Sequence, residues 1–329
     1  MNTIQERQNT PVVAIIMPLY NKGKYVARAL NSIFAQTYQN FEIVVVDDGS
    51  TDRGADIVSS YTDSRMRLIR QANGGPGAAR NRGIYESTAP LLSFLDADDE
   101  WLPEFLEKSV RRLQDHPECV LAVAGQYRSA ERISWEPECL AIGITEGSWQ
   151  MPTNMDASLL KLTLDFISNS GPIVGLRNVV ERFGGFYTKN RCTYGEDLYL
   201  WLQVALNHKI YRDPAPLFWW HTEASEISAY SHRKVIPPWP MLTDPEPIRN
   251  NCPPEYRTLI ERYFTYLALL AARRCIGAGD SATAQHLLRC YPVARTFGQD
   301  YARVQLDILL ESSPRLRHWI RQARDLVRF

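Results

Sequence analysis

The sequence predicts an α/β chain with a mostly parallel central sheet, followed by a purely helical region. Three observations carry this. Short apolar runs alternate with helix-length stretches between Val12 and Ala124, the pattern of parallel strands joined by right-handed crossovers. Two of those runs end in clustered acids, Asp47-Asp48 and Asp96-Ala97-Asp98-Asp99. Past residue 254 the strand-like runs stop, and leucines among small residues (Leu267, Leu269, Leu270, Leu287, Leu288) suggest a helical hairpin.

Val12 to Met17 is wholly apolar and reads as a buried first strand, closed by Pro18. A helix from Lys24 to Gln36 sets Val26, Leu30, Ile33 and Phe34 on one face. Phe41 to Val46 is a second strand, and Asp47-Asp48-Gly49-Ser50 after it is turn chemistry. Thr51 or Asp52 can cap the next helix, and Met66 to Arg70 is a third strand. Gly74 to Gly77 leads into a helix over Ala78 to Glu86, and Leu91 to Leu95 is the fourth strand. A helix (Pro103 to Gln114) and a strand (Cys119 to Ala124) follow, and 126–155 has no readable period. Regular structure resumes at Ile173 to Leu176, Gly195-Glu196-Asp197 opens a helix, and Ile210-Tyr211 and Leu217 to Trp220 read as late strands. Pro237, Pro238, Pro240, Pro245, Pro247, Pro253 and Pro254 mark a stiff linker.

Basic and acidic residues number 37 each, so no global field points to nucleic acid and any charged function is local. Hydrophobic residues at 45% and aromatics at 11% suffice for a large core. The six cysteines are scattered without a C-x-x-C pair, which fits neither a zinc site nor a disulfide framework. The polar start is no signal peptide, and no run approaches the ~18 apolar residues of a membrane span. The expected location is the cytoplasm.

Like charges crowded at the end of a buried strand raise one another's pKa, so Asp96, Asp98 and Asp99 call for a cation. A divalent metal carrying a phosphate ester answers that need, and oxygen ligands suit Mn2+ or Mg2+. A plain helix cap before Pro103 would need Asp99 alone. In open α/β sheets, ligands bind at this edge. No G-x-x-x-x-G-K-[ST] loop occurs, and Pro18-Leu19-Tyr20-Asn21 stands where a dinucleotide fingerprint needs glycines.

Met17-Pro18-Leu19-Tyr20-Asn21, the run from Val45 to Asp52, Gly77-Ala78-Ala79-Arg80-Asn81 and the run from Leu95 to Asp99 together resemble the family 2 glycosyltransferases, over roughly Pro11 to Ser228. The resemblance implies a GT-A fold, in which a Rossmann-like nucleotide-binding half and an acceptor half share one sheet. It implies inverting transfer from a nucleotide-sugar donor, UDP-linked by expectation, to a hydroxyl of a glycan or lipid-linked acceptor in surface polysaccharide or glycoconjugate synthesis.

Residue by residue, Asp96-x-Asp98 is similar to the family's D-x-D motif, with Asp98 as metal ligand and Asp96, beside Ala97, at the ribose or sugar. The resemblance also puts Asp47 or Asp48 at the base edge, Arg80 against the nucleotide, and Pro18, Tyr20 and Asn21 around the base. Phe183-Gly184-Gly185-Phe186 and Gly195-Glu196-Asp197 resemble the family's E-D motif and its approach, which makes Asp197 the general base. The helix dipole is expected to lower the Asp197 pKa and keep it ionised at neutral pH. The family's arginine one turn later is Gln203 here. His221, upstream of Ser225 and Ser228, resembles a late histidine segment and stands as a second metal ligand.

Plainer readings remain beside these. Asp48 and Gly49 can serve a turn, Arg80 a surface, Pro18 a strand end, and His221 a structural role. Neighbours in a strand face opposite ways, so one of Trp219 and Trp220 is expected in the core.

The expected organisation is a tail (1–10), a GT-A domain (11–236, with nucleotide-binding and acceptor halves meeting near residue 100), the linker (237–254) and a helical domain (255–329). The last helix, Pro314 to Val327, sets Arg315, Arg317, Arg321 and Arg324 against Leu316, Trp319 and Ile320. It can make peripheral contact with the inner face of an anionic membrane, or pack on the protein with a solvated basic face. Two other functions stay open. One is a non-catalytic module binding a nucleotide sugar or glycan, with a tail that recruits partners. The other is a nucleotidyltransferase, for which only Lys22-Gly23-Lys24 offers a triphosphate loop.

Overall fold

The computed structural model describes residues 12–224, 239–292, 294 and 298–312. The tail, Ser225, Ser228, Pro237, Pro238 and the basic helix over 314–327 lie outside the described residues.

The first half alternates as expected: β1 (Val13–Leu19), α1 (Val26–Phe34), β2 (Phe41–Asp47), α2 (Gly54–Ser59), β3 (Met66–Arg70), α3 (Pro76–Glu86) and β4 (Leu91–Phe94). Then come β5 (Glu100–Trp101), α4 (Phe105–Asp115), β6 (Cys119–Arg128), β7 (Ile133–Ser134), α5 (Glu136–Ala141), β8 (Gly147–Trp149) and α6 (Ala157–Ile167). The site-bearing part closes with β9 (Ile173–Leu176), α7 (Arg177–Arg182), α8 (Glu196–Asn207) and β10 (Lys209–Trp220). Among the described residues five α-helices follow: α9 (Pro240–Thr243), α10 (Glu246–Asn251), α11 (Arg257–Gly277), α12 (Ser281–Cys290) and α13 (Gln299–Ser312).

Among the described residues ten strands form one mixed sheet in the order β3-β2-β1-β4-β9-β6-β10-β5, with β7 on β6 and β8 on β10. The pairs β1–β2, β2–β3, β1–β4 and β6–β10 are parallel, while β9 runs antiparallel to both β4 and β6. Strand β2 is buried at every position. Burial on both faces explains its unbroken apolar run. The order reverses at β1, so a crevice opens beyond the C-terminal ends of β1 and β4. Both acid clusters follow strands that end there.

One aromatic cluster holds the site's frame. Phe94 of β4 meets Phe186 edge-on at 4.9 Å and Trp201 of α8 at 6.2 Å, and Phe186 meets Trp201 at 5.7 Å. Such pairs add about 0.5–1.5 kcal/mol each beyond area burial. They join the strand that carries Asp96 to the helix that carries Asp197.

Three expectations change. The two late strands are one continuous strand, β10, which bends where it pairs irregularly with β6 near Asp213 and Pro216. The unreadable stretch 126–155 holds the end of β6, with β7, α5 and β8, elements too short to display a period. The proline stretch is no bare linker. Pro240 begins α9 and Pro245 and Pro247 flank the start of α10, positions where a missing N–H costs nothing.

Trp239, Met241, Leu242, Ile248 and Cys252 around those prolines are buried. Leu259, Ile260, Tyr263 and Phe264 of α11 join the same apolar cluster as Trp201 and Leu202. Helix α11 therefore shares a core with the sheet, whereas Val304 and Ile308 of α13 pack in a separate cluster with Leu269, Ala272 and Leu288. No helix among the described residues is long and apolar enough to cross a membrane.

Candidate active site

The C-terminal ends of β1, β2 and β4 face a cavity of about 460 Å³ lined by Pro18, Leu19, Tyr20, Lys22, Asp48, Asn73, Gly75, Pro76, Arg80, Asp96, Ala97, Asp98, Arg191, Thr193 and Glu196. A second cavity of about 460 Å³ adjoins it. Its walls include Gln126, Arg128, Trp135, Lys161, Tyr194, Asp197, Trp220 and Trp239. Arg80, Asp96, Asp98 and Glu196 line both. The four side chains form the partition between two chambers.

Arg80 is 3% exposed. It donates through Nη2 to Asp96 Oδ1 at 2.7 Å and through Nη1 to Glu196 Oε1 at 2.8 Å. Its guanidinium also lies over the Phe186 ring at 5.2 Å. Burial opposes its charge, but Asp96, Glu196 and Asp197 outweigh that and raise its pKa above the usual arginine range. The structure thus places Arg80 as a cross-brace between the two acid motifs, in contact with both chambers.

Asp197 sits in the first turn of α8, and its Oδ1 accepts from the Leu198 N–H at 2.7 Å. Burial, and then the neighbouring Glu196, push its pKa up to about 8 against the opposing pull of Arg80. The expected lowering by the helix dipole is therefore overturned: desolvation beside a second carboxylate outweighs the dipole. Gly195, in front of it, has φ of +81°, and a Cβ there would stand 2.9 Å from Trp239 Cδ1. Only glycine meets both demands.

The remaining candidates divide. Tyr20, 42% exposed, Pro18, Asp48 and Ala97 line the first cavity. Asp48 is also a loop clamp, accepting from Gln71 Nε2, Gly74 N and Gly75 N at 2.7, 2.9 and 2.8 Å. Asp47 accepts from Ser50 N at 2.9 Å, and Asn21, at φ of +51°, accepts from Thr51 N at 2.8 Å. Neither lines either of the two chambers; together they hold the turn after β2 against the loop after β1. Trp219 and Trp220 are both part-buried, and of the two Trp220 packs against the core cluster that holds Ile15 and Phe218. Trp220 lines the second cavity, while Trp219 stacks on His221 at 4.4 Å. Gln203 is buried and accepts from Asn251 Nδ2 at 2.8 Å, away from both chambers.

The acids fit a hard cation in part. Asp96 and Asp98 share the cavity wall. Burial and the charge of Asp96 raise the Asp98 pKa, which Lys22 opposes, and burial with Asp98 and Asp96 raises that of Asp99 well above the carboxylate range. A divalent ion would relieve that crowding. Among the described residues no group of three or more His, Cys, Asp or Glu side chains could hold a metal by itself. The arrangement suits an ion that takes one or two carboxylates and completes its shell with phosphate oxygens and water. His221 is not placed as a ligand. Its Nε2 lies 2.7 Å from Glu100 Oε1 and its Nδ1 2.8 Å from Glu223 Oε1, so both ring nitrogens are engaged. Asp99 accepts from the His221 backbone N–H at 3.0 Å, which ties the acid turn to the end of β10.

The sequence model of glycosyl transferase family 2 matches residues 14–183, more than half of the chain. The chain belongs to this family. An uncharacterized glycosyltransferase of Nostoc sp. is 41% identical over 105 residues, 31% of this chain and 33% of its own. Glycosyltransferase GlyG of Streptococcus pneumoniae is 36% identical over 107 residues, 32% of this chain and 36% of its own. The chain thus spans about a third of the length of the curated relatives it matches. The S. aureus TarS 1–349 crystal structure superposes with a TM-score of 0.55 at 17% identity, covering 86% of this chain and 91% of that one. The mannosyltransferase PcManGT from Pyrobaculum calidifontis gives 0.55 at 17% identity, covering 93% and 88%. The fold is the α/β GT-A type expected.

Several residues of this family 2 site escaped sequence reasoning. Arg128 and Trp135 come from the unreadable stretch, Lys161 from α6 and Tyr194 from the loop before α8, and nothing local marks them as cavity-lining residues. Asn81 follows Arg80 in sequence and carries no local signal of its own. Its amide donates to the Phe186 carbonyl and accepts from the Phe186 N–H, each at 2.8 Å, fixing the turn on which Arg80 stacks. Asn81→Ala is expected to cost about 1–3 kcal/mol by leaving those backbone groups unpaired, measured as a lower urea midpoint with an unchanged m-value.

Proposed function

We propose that the protein is an inverting, metal-dependent glycosyltransferase that moves a sugar from a nucleotide-diphosphate donor to a hydroxyl of a glycan or lipid-linked acceptor. The observation that carries this reading is the pair of chambers divided by Arg80, Asp96, Asp98 and Glu196, with Asp197 lining the second alone. The donor takes the first chamber, under the strand ends. The acceptor takes the second, where Trp135, Trp220, Tyr194 and Trp239 offer flat apolar faces for a sugar ring.

From the acceptor side, the Asp197 carboxylate removes the proton of the attacking hydroxyl. A carboxylate whose pKa has been raised is a stronger base once ionised. Attack then crosses the partition onto the anomeric carbon, and a single in-line displacement inverts its configuration. Asp98 would hold the divalent ion, with Asp96 beside it at the ribose or sugar, and the ion when bound supplies positive charge for the departing diphosphate. Arg80 keeps Asp96 and Glu196 at a fixed spacing throughout.

TarS was solved with UDP-GlcNAc, and PcManGT with GDP-Man and Mn2+. UDP-sugars and then GDP-sugars, with Mn2+ or Mg2+, are therefore the donors to test first. Asp98→Ala should weaken metal-dependent nucleotide binding by about tenfold or more, as loss of a charged ligand worth some 1.4 kcal/mol or more would. Calorimetric titration with and without the ion checks this, and full retention of the metal-dependent affinity would overturn the assignment.

A further inference from the structure

Each acid after β4 has its own partner. Asp96 has Arg80, and Asp99 has the His221 backbone N–H. Asp98 has Lys22: the ammonium, on a loop after β1, lies 2.8 Å from Asp98 Oδ2 and donates to the Ala224 carbonyl at 2.9 Å. The two side chains are 15% and 9% exposed, so water screens the pair far less than a surface ion pair. Arg28 approaches as well, but it reaches the Asp98 backbone carbonyl and, through Nε, Glu100 at 3.3 Å.

The partners differ in kind. Arg80 is a planar fork braced by two carboxylates and an aromatic ring. Lys22 is a compact charge on a flexible stem, which can re-aim without breaking the frame. It also lines the chamber in which a diphosphate would sit. An ammonium and a divalent ion repel each other when they compete for one carboxylate oxygen.

We propose that Lys22 is a built-in counter-ion that closes Asp98 to metal until a diphosphate enters the chamber. The diphosphate offers the ammonium a new anionic partner, Asp98 is released, and ion and nucleotide bind as a coupled pair. This rests on the donor-site reading of the first chamber. Because coupling between two ligands is reciprocal, it can be read from the metal alone.

The test titrates MnCl2 into the full chain by calorimetry, without nucleotide and at saturating UDP or GDP. Wild type, Lys22→Met, Lys22→Arg and Asp98→Asn are compared. Wild type should bind Mn2+ weakly alone and about tenfold or more tighter with nucleotide, a coupling of ordinary size. Lys22→Met should bind Mn2+ alone about tenfold tighter than wild type, with a further gain from nucleotide smaller than the wild-type gain, because phosphate oxygens still complete the ion's shell. Lys22→Arg should stay as weak as wild type, which separates lost charge from lost structure. Asp98→Asn should abolish the gain. Equal Mn2+ affinity of wild type and Lys22→Met overturns the proposal, as does an undiminished nucleotide effect in Lys22→Met. Failure of the donor reading looks different. No variant would then bind nucleotide at any Mn2+ concentration, while Lys22→Met still gained Mn2+ affinity; that overturns diphosphate as the trigger and keeps Lys22 as the competitor for Asp98.

Discussion

Asp197→Asn should lower kcat by about 10²- to 10⁴-fold, the usual contribution of a positioned general base, while nucleotide affinity stays near that of wild type. Donor turnover and calorimetry on the same preparation check both halves; unchanged turnover removes Asp197 from the reaction. The pH dependence follows from the pKa near 8, held up by burial and Glu196. The base works only when ionised, so kcat/KM should rise about tenfold per pH unit below 8 and level off above it.

The same shift has a stability consequence of definite sign. The folded-state pKa lies above the unfolded value of about 3.9, so the fold prefers the protonated acid. That contribution is full below about pH 4 and is lost as pH rises through about 8. The Asp197→Asn variant cannot ionise. It should gain on wild type in melting temperature from pH 5 to pH 8, with no further gain beyond.

Arg80→Met should have the largest effect on stability. It removes a buried cation from between Asp96 and Glu196, and breaking a buried ion pair by deleting one partner costs about 3–5 kcal/mol. The urea midpoint measures this. Arg80 also opposes the upward shift of Asp197, so whatever activity survives should need a still more alkaline pH. Arg80→Lys should recover only part of the loss, since one ammonium cannot reproduce a fork that reaches two carboxylates in different directions. A variant with wild-type midpoint and pH profile would show that the brace contributes nothing.

How legible the site was depended on how local its signals were. Asp96-Ala97-Asp98-Asp99 and Gly195-Glu196-Asp197 stood out because strand ends and helix starts are written in a few consecutive residues. Their place in the sheet followed from the βα alternation before them. Arg80 was legible as a residue and not as a brace, because its partners lie 16 and 116 positions away. His221 was legible as a late histidine and not as the partner of Glu100, which meets its Nε2 from 121 residues away. The proline stretch misled because proline in a first helical turn and proline in a linker have the same composition.

By itself, then, the sequence determined the strand order's raw material, the family and the two acid motifs, all set by short-range pattern and backbone preference. Tertiary structure alone decided that the motifs meet across one buried arginine, and that two chambers share that wall. It also decided that Asp197 is harder to ionise than its helix position suggests. Those outcomes rest on desolvation and on charges brought together across the fold, and neither quantity exists until the chain has closed around them.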